Sequence, residues 1–531
     1  MDPIRSGKAD EGYETSLGMM IMLLTKPIVQ IALCLLVSGF GLACKADLRT
    51  GWNGQSDAGG AEVGVTATTG GSTGSTETRR DAGAPAVAAT AAASGSTGST
   101  GAACSGSGWG QVGIVRDGLS TNTAISQIAT AVSDSGSAVV TWYEFALPLP
   151  LQTGDTVQLF ASVCHAGSWT PPALLASTKT VRSVLAARAD GVAMVAWAQS
   201  SSDGSNAIWE ATLDPASAIW SSPTRVGAPA GLSKPSAIAM GSDGTAMIVW
   251  NETQTDWASR FNGSAWEAPV AISVGPDPLG EAGIVVSPGA QAYLALWQET
   301  RQDLTPVTSS IWARRYSNGT WEAPTMLDKG DVSMAIGPPG APSSALAMDA
   351  SGNAAAGWFA GYHHLRGAMY SAASNRWTSA QTVADDGQEL ILVLDSQGRA
   401  VASWSGNVST DAGTVVRGNL GWGDPQGGTW QTTLPLQESG IYLGSDSKGH
   451  TWAAWGSGSF LTNDATLWAA NYDPANGLTS KKAIWTPAAL ESPMSLSLSV
   501  SPSGRVFAAM TAVSDSPSFH YKLVATTYDP N

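Results

Sequence analysis

The stretch Gly241-Ser-Asp-Gly-Thr-Ala-Met-Ile-Val-Trp-Asn-Glu252 joins a polar turn to an apolar run that ends at a tryptophan. Similar phrases recur along the chain, and the last residue of each apolar run serves as a marker. The eight markers are Trp142, Trp197, Trp250, Trp297, Trp358, Trp404, Trp455 and Met510. Successive markers lie 46 to 61 residues apart, with a mean near 53. Repetition at this period predicts one repeat architecture rather than several unrelated domains.

Each repeat has the pattern of four β-strands. The first is short and apolar and ends at an Asp/Gly turn, which tight hairpins favour. The second is the run before the marker, apolar on both faces as expected for a strand between neighbouring sheets. The third has period-two alternation, and the fourth opens with another tryptophan. The turns are Asp134–Gly136, Asp190–Gly191, Asp243–Gly244, Asp349–Gly352, Asp395–Gly398 and Asp446–Gly449; the fourth-strand tryptophans are Trp169, Trp220, Trp266, Trp321, Trp377 and Trp430.

The two ends of the repeat region complement each other. The eighth repeat stops at Asn531 without a fourth strand, whereas the segment GWGQVGIV near residue 108 places Trp109 as Trp266 is placed in its own repeat. An N-terminal strand that completes the last sheet closes the ring and leaves no open terminal edge. The sequence therefore predicts an all-β, eight-bladed β-propeller of four-stranded blades over residues 108–531, with the N-terminal strand closing the last blade.

The turns Ser133-Asp134-Ser135-Gly136 and Ser242-Asp243-Gly244, each followed by a tryptophan, resemble the repeats of kelch-sized, sialidase-type and fucose-lectin-type propellers. They depart from the Ser-x-Asp-x-Gly-x-Thr-Trp pattern of the Asp-box, because the aspartate comes early and the tryptophan late. The sequence also lacks the Arg-Ile-Pro element of sialidases. The resemblance implies a propeller fold and transfers no site residue to this chain.

Residues 1–44 have the layout of an export signal. Met22-Leu-Leu-Thr-Lys26 and the apolar run PIVQIALCLLVSGFGLAC supply a basic residue, an apolar core and small residues before Cys44. The segment resembles a bacterial lipoprotein signal, with Ala43 before the cysteine and Leu42 shifted by one position. The resemblance implies a lipid on Cys44 and attachment to the cell envelope as the only membrane contact. An uncleaved signal anchor and plain secretion are the alternatives, and all three export the protein.

Residues 45–107 are dominated by Ala, Gly, Ser and Thr, as in GGSTGST and SGSTGST. So few large apolar side chains cannot offset the entropy of ordering, and a disordered tether is expected. If Cys44 is acylated and Cys34 leaves with the signal, Cys104 and Cys164 remain. An even pair in an exported chain favours a disulfide, and both cysteines are expected on the same face of neighbouring blades.

Several function classes are disfavoured by composition. The net charge is −15 and only 13% of residues are charged, so the basic patch that nucleic-acid binding needs is missing. The five histidines are scattered over different repeats, and no Walker loop, Gly-x-Ser-x-Gly elbow or His-Glu-x-x-His motif occurs. We expect no metal, no cofactor and a monomer.

The connections after the second and fourth strands vary in length, from about five residues after Trp250 to fourteen after Trp142. Variable loops on a rigid scaffold usually carry the binding site. On that side, two residues after the marker, the first four repeats carry polar side chains that form a polar arc. The arc is Glu144, Gln199, Glu252 and Glu299, with Tyr143, Asn251 and Gln298 beside it. It is interpreted either as a ligand-binding surface or as strand ends in solvent.

Two functions remain. The first is an envelope-tethered binding or scaffolding propeller whose ligand is a glycan, a peptide or an envelope protein. The second is a propeller hydrolase or lyase that acts on polysaccharide, for which two carboxylates about 5–9.5 Å apart near the ring centre would be the sign. The tryptophans allow sugar stacking, but their fixed place in every repeat favours packing between blades.

Overall fold

A computed structural model describes most of the repeat region. The segments 1–44 and 45–107, and with them Cys44 and Cys104, lie outside the described residues. The described residues are 108–117, 119, 122–146, 156–200, 206–227, 233–252, 255–273, 282–287, 292–301, 307–334, 345–361, 363–410, 413–423, 430–435, 440–457, 466–486, 491–514 and 520–530.

These residues form eight antiparallel sheets, which are numbered blade 1 to blade 8 along the chain. The first strands are β3 (Thr123–Val132), β8 (Ser183–Ala187), β13 (Ser233–Met240), β17 (Gly283–Val286), β22 (Val332–Met334) with β23 (Leu346–Met348), β28 (Gln388–Leu394), β32 (Tyr442–Ser445) and β36 (Glu491–Val500). The second strands are β4 (Ala138–Ala146), β9 (Ala193–Ser200), β14 (Ala246–Glu252), β18 (Tyr293–Arg301), β24 (Ala354–Ala360), β29 (Ala400–Thr410), β33 (Thr451–Ser457) and β37 (Val506–Ser514).

The outer half of each blade holds the third and fourth strands. The third strands are β5 (Val157–His165), β10 (Asn206–Asp214), β15 (Thr255–Phe261), β19 (Thr308–Ser317), β25 (His364–Ser371), β30 (Gly413–Gly423), β34 (Thr466–Asp473) and β38 (His520–Asp529). The fourth strands are β6 (Ser168–Trp169) with β7 (Ala173–Thr178), β11 (Ile219–Trp220) with β12 (Thr224–Val226), β16 (Val270–Ala271), β20 (Thr320–Trp321) with β21 (Thr325–Gly330), β26 (Arg376–Trp377) with β27 (Gln381–Ala384), β31 (Gln431–Pro435), β35 (Gly477–Trp485) and, in blade 8, β1 (Gly108–Trp109) with β2 (Gly113–Arg116).

The ring closes through the N-terminal strands. Both β1 and β2 pair with β38. Trp109 therefore lies opposite Tyr528, and the centroids of their rings are 5.5 Å apart. The first strands of successive blades contact one another in order, and β3 of blade 1 contacts β36 of blade 8. The predicted eight-bladed propeller with an N-terminal strand in its last blade is confirmed.

The core consists of layers between neighbouring blades. Six of the marker tryptophans are at most 1% exposed, and Trp404 is 4% exposed. Each layer combines residues of adjacent sheets: Trp197 of blade 2, for example, shares its cluster with Tyr143 of blade 1. These tryptophans therefore pack blade against blade, which leaves them no face for a ligand.

The fourth strands differ from the prediction of one continuous strand. In six blades, blades 1 to 5 and blade 8, a pair or bridge at the tryptophan is followed by a break and then a resumed strand. Prolines fall in several of these breaks, at Pro171, Pro223, Pro269 and Pro324. Proline cannot donate a ladder hydrogen bond and is tolerated only at the edge of a sheet, which is where the fourth strand lies.

The two sides of the ring are different. The turn face carries the turns after the first and third strands, and the loop face carries the connections after the second and fourth strands. Most turns of the turn face lie within the described ranges and are short, whereas many residues of the loop-face connections lie outside those ranges. Within those ranges, no helix has the length and apolar character that a membrane span requires.

Candidate functional site

The polar arc lies at the loop-face ends of the second strands, and three of its members bind the marker tryptophan of their own blade. Residues i and i+2 of a strand point to the same face, so the side chain can reach back to the indole. Trp142 Nε1 donates to Glu144 Oε1 at 2.9 Å, and Trp197 Nε1 donates to Gln199 Oε1 at 3.1 Å. Trp297 Nε1 donates to Glu299 Oε1 at 3.0 Å.

Glu144 also joins the two ends of the ring. Arg116 on β2 forms a bidentate ion pair with Glu144: its Nε donates to Oε1 at 2.7 Å and its Nη2 donates to Oε2 at 3.1 Å. Glu144 and Glu299 are each 6% exposed. The interpretation of the arc as solvated strand ends therefore does not fit these two glutamates, and the ligand-binding role of the arc stays a prediction.

In blades 3 and 5 the indole N–H of the marker tryptophan has a different hydrogen-bonding environment. In blade 5, where Ala360 replaces the polar residue, Trp358 Nε1 donates instead to Asp328 Oδ2 of the preceding blade at 2.7 Å. Arg366 contacts the same carboxylate at 2.6 Å. In blade 3, Trp250 Nε1 is buried without a hydrogen-bond partner among the described residues, and Glu252 is half-buried at the strand end.

The three residues expected beside the arc also contact the scaffold. Tyr143 is 0% exposed and packs between blades 1 and 2. Gln298 donates to Thr300 Oγ1 at 3.0 Å and accepts from the Met334 backbone N–H of blade 5 at 3.0 Å. Asn251 Nδ2 donates to Asp256 Oδ1 at 3.0 Å.

Asp256 is the most perturbed carboxyl group at the loop face. It is 1% exposed at the start of β15. Burial raises its pKa to about 7; the hydrogen bond from Asn251 acts against this, and the negative charge of Glu299 adds to it. Such values are typical of general acids and bases, but a substrate cannot reach a carboxyl group with so little exposure.

Among the described residues, no group of three His, Cys, Asp or Glu side chains is placed to hold a metal ion. Adjacent His363 and His364 lie near different carboxylates, those of Asp386 and Asp385, each with 3.9 Å between nitrogen and oxygen.

A cleft of about 570 Å³ lies at the outer edge of the ring between blades 2 and 3. Six of its lining residues bear on its chemistry: Glu210, Thr224 and Arg225 from blade 2, and Phe261, Trp266 and Glu267 from blade 3. At Gly227 an added Cβ would lie 2.5 Å from Pro269 Cγ, so the two blades approach closely beside the cleft.

Glu210 is the unusual residue of this cleft. It follows the third-strand residue that opposes the marker, and the other seven blades carry a small or apolar residue there. The eight residues at this position are Ala161, Glu210, Ala258, Ala313, Gly367, Leu420, Ala469 and Ala525. Glu210 is not among the site residues predicted from the sequence, although it stands out when the third strands are aligned on their markers.

The carboxyl group of Glu210 is buried, with 6% of the residue exposed. Thr212 Oγ1 donates to its Oε2 at 3.1 Å. Burial raises the pKa of Glu210, and the Thr212 hydroxyl and the Trp266 indole act against this increase. No positively charged side chain contributes to this shift in the pKa of Glu210.

An aromatic wall and charged groups complete the cleft. The ring centroids of Phe261 and Trp266 are 5.5 Å apart, and both residues are partly exposed. Arg260 Nη1 binds Glu267 Oε1 at 2.9 Å, and Arg225 is exposed. The cleft therefore combines a flat apolar surface with hydrogen-bond donors and acceptors.

No protein-family model matches the sequence, and no curated protein matches it either. Among solved structures, the chain is similar to a protein of unknown function from Dyadobacter fermentans, with 11% identity, a TM-score of 0.38, and coverage of 79% of this chain and 98% of the other. It is also similar to a polysaccharide lyase of family PL25, an ulvan lyase, with 10% identity, a TM-score of 0.40, and coverage of 76% and 93%. A leech intramolecular trans-sialidase has 10% identity, a TM-score of 0.32, and coverage of 76% and 68%. Similarities this distant do not bear on the function of the chain.

Proposed function

We propose that this protein is a binding propeller that a lipid on Cys44 holds at a bacterial cell envelope, with a glycan, a peptide or an envelope protein as its ligand. The observation that supports binding over catalysis is the use of the loop-face polar groups. Glu144, Glu299 and Asp256 are buried and bound to Arg116, Trp297 and Asn251 respectively. These carboxylates stabilise the scaffold and do not form an exposed acid–base pair.

The test measures binding and turnover on the same material. The purified full chain is offered neutral and acidic polysaccharides and a cell-envelope extract, and retained ligand is measured beside new reducing or unsaturated sugar ends. Retention without new ends supports a binding protein. New sugar ends that appear only when the purified chain is present would overturn the proposal in favour of a hydrolase or lyase.

The anchor has a separate test. In cells supplied with a labelled fatty acid, the chain is expected to carry label and to fractionate with membranes, and Cys44→Ser is expected to lose both properties. A Cys44→Ser variant that stays with membranes would indicate an uncleaved signal anchor. Release of the unlabelled wild-type chain into the medium would indicate plain secretion.

A further inference from the structure

The repeat does not require a glutamate at the position of Glu210 in the cleft between blades 2 and 3. Seven blades fill the same position with alanine, glycine or leucine and build equivalent sheets. A buried carboxyl group costs free energy of folding unless it is paired and hydrogen-bonded. Glu210 has a hydroxyl and an indole beside it, and no cation contributes to its pKa. A residue that breaks a local rule at a cost to stability is expected at a functional or strained position.

The surroundings of Glu210 define what the cleft would accept. Trp266 and Phe261 offer a partly exposed aromatic wall, on which a flat apolar face can stack. Glu210 accepts hydrogen bonds, while Thr224 and Arg225 bring donors. A ligand with one apolar face and several hydroxyl groups uses all of these groups together.

We propose that this cleft binds a neutral sugar unit of a glycan, with Glu210 accepting hydrogen bonds from its hydroxyl groups and Trp266 stacking on its ring. This inference rests on the proposed binding function and deepens it. Small-molecule sites combine apolar walls with a few placed polar groups that give specificity. The cleft has an aromatic wall and polar groups beside it, at the outer edge of the ring.

The decisive variant is Glu210→Ala, which installs the residue that five other blades carry. The full chain and the variant are tested on an array of neutral gluco-, manno- and galacto-configured oligosaccharides, and the best oligosaccharide is titrated by calorimetry. Glu210→Ala is expected to weaken binding at least tenfold, about 1.4 kcal/mol, while its melting temperature stays equal or rises. A lower melting temperature with unchanged binding would show that Glu210 has a structural role and would overturn the inference.

Matched tryptophan variants separate the cleft from general packing. Trp266→Ala is expected to abolish binding. Trp321→Ala removes the equivalent residue of blade 4, where Ala313 replaces the glutamate, and is expected to lower stability similarly but to keep binding. If both variants bind like the wild type, the cleft is not the site although the protein still binds a glycan. If the wild-type chain binds none of the neutral sugars, the sugar inference fails, and retention of a peptide or protein would leave the binding function standing.

Discussion

At the scale of single residues, the marker tryptophans combine apolar packing with a polar requirement. A buried indole N–H without an acceptor costs about 1–3 kcal/mol. Blades 1, 2 and 4 supply the acceptor two residues later, and blade 5 takes it from Asp328 of its neighbour. The polar arc that the sequence displays is therefore, in three of its four members, a set of acceptors for tryptophan.

Glu144→Ala is expected to lower the free energy of unfolding by about 1–3 kcal/mol, because Trp142 loses its acceptor and Arg116 loses its ion-pair partner. Chemical denaturation with the full chain measures the loss. Gln199→Ala is the matched control, since it removes only a neutral acceptor and should cost less. Equal stability of Glu144→Ala and wild type would contradict the structural role.

Asp256 makes stability depend on pH. Its pKa is about 7 in the folded chain against 3.8 when exposed, so the folded state holds a proton that the unfolded state has released. Stability that Asp256 contributes at low pH is therefore lost as pH rises from about 4 to about 7, at up to about 1.4 kcal/mol per pH unit. Asp256→Asn is expected to flatten this slope and to melt higher than wild type at pH 8 but not at pH 4. Parallel profiles for both proteins would argue against a protonated Asp256.

At the scale of elements, the turn after the first strand repeats one geometry. Its glycine has positive φ in seven blades, at Gly136, Gly191, Gly244, Gly352, Gly398, Gly449 and Gly504. In blades 5 to 7 the turn begins with an aspartate: Asp395 Oδ1, for example, accepts the backbone N–H groups of Gln397 and Arg399 at 2.8 and 2.9 Å. Glycine permits the left-handed conformation, and the aspartate fixes the turn.

Gly398→Ala tests the conformational requirement alone, because the nearest atom to an added Cβ, Asp349 Oδ2, is 3.7 Å away. The expected loss is about 1–2 kcal/mol, the cost of a left-handed backbone for a residue with a Cβ. Gly398→Asn should lose less, since asparagine tolerates this conformation. Thermal melts that do not distinguish alanine from glycine would show that the turn relaxes.

The sequence allowed prediction of features that recur in most repeats. The marker tryptophans and the Asp/Gly turns were predictable because they recur at a regular spacing, and the N-terminal strand was predictable because the eighth repeat lacks a fourth strand. The breaks in the fourth strands were missed, although Pro223 and Pro269 stand in the sequence, because an edge strand resumes after a proline. The roles of Glu144 and Glu210 were missed for another reason: they depend on which side chain of a neighbouring strand or blade comes within reach.

At the scale of the whole molecule, blades 8 and 1 meet through contacts as specific as those within a blade. The backbone N–H of Ser503 donates to Asp134 Oδ1 at 2.6 Å, and the hydroxyls of Thr130 and Ser497 are 2.9 Å apart. The ring centroids of Trp169 and Phe507 are 5.5 Å apart. The ring is therefore held at its seam by both strand pairing and direct packing.

The predicted Cys104–Cys164 disulfide would reinforce this seam. Cys164 is 3% exposed at the end of β5 and packs with Phe507 and Ala525 of blade 8, the blade to which Gly108 belongs. Cys104 lies four residues before Gly108, a span of up to about 14 Å. Thiol labelling of the denatured, exported protein is expected to find neither cysteine reactive before reduction. Two reactive thiols would refute the pairing.

Deletion of Ser105–Arg116 tests how far closure depends on the N-terminal strands. The deletion removes β1 and β2, exposes the edge of β38 and leaves the buried Glu144 without Arg116. An unpaired edge strand is a template for association, so the variant should melt well below wild type and elute as aggregates in size-exclusion chromatography. Deletion of twelve residues within 45–103, which keeps Cys104, serves as the control and should change neither property. A peptide of residues 105–116 added to the truncated chain should restore the melting temperature, because it can pair with β38 as an added strand. If the truncated chain melts like the intact one, direct packing between blades 8 and 1 suffices to close the ring.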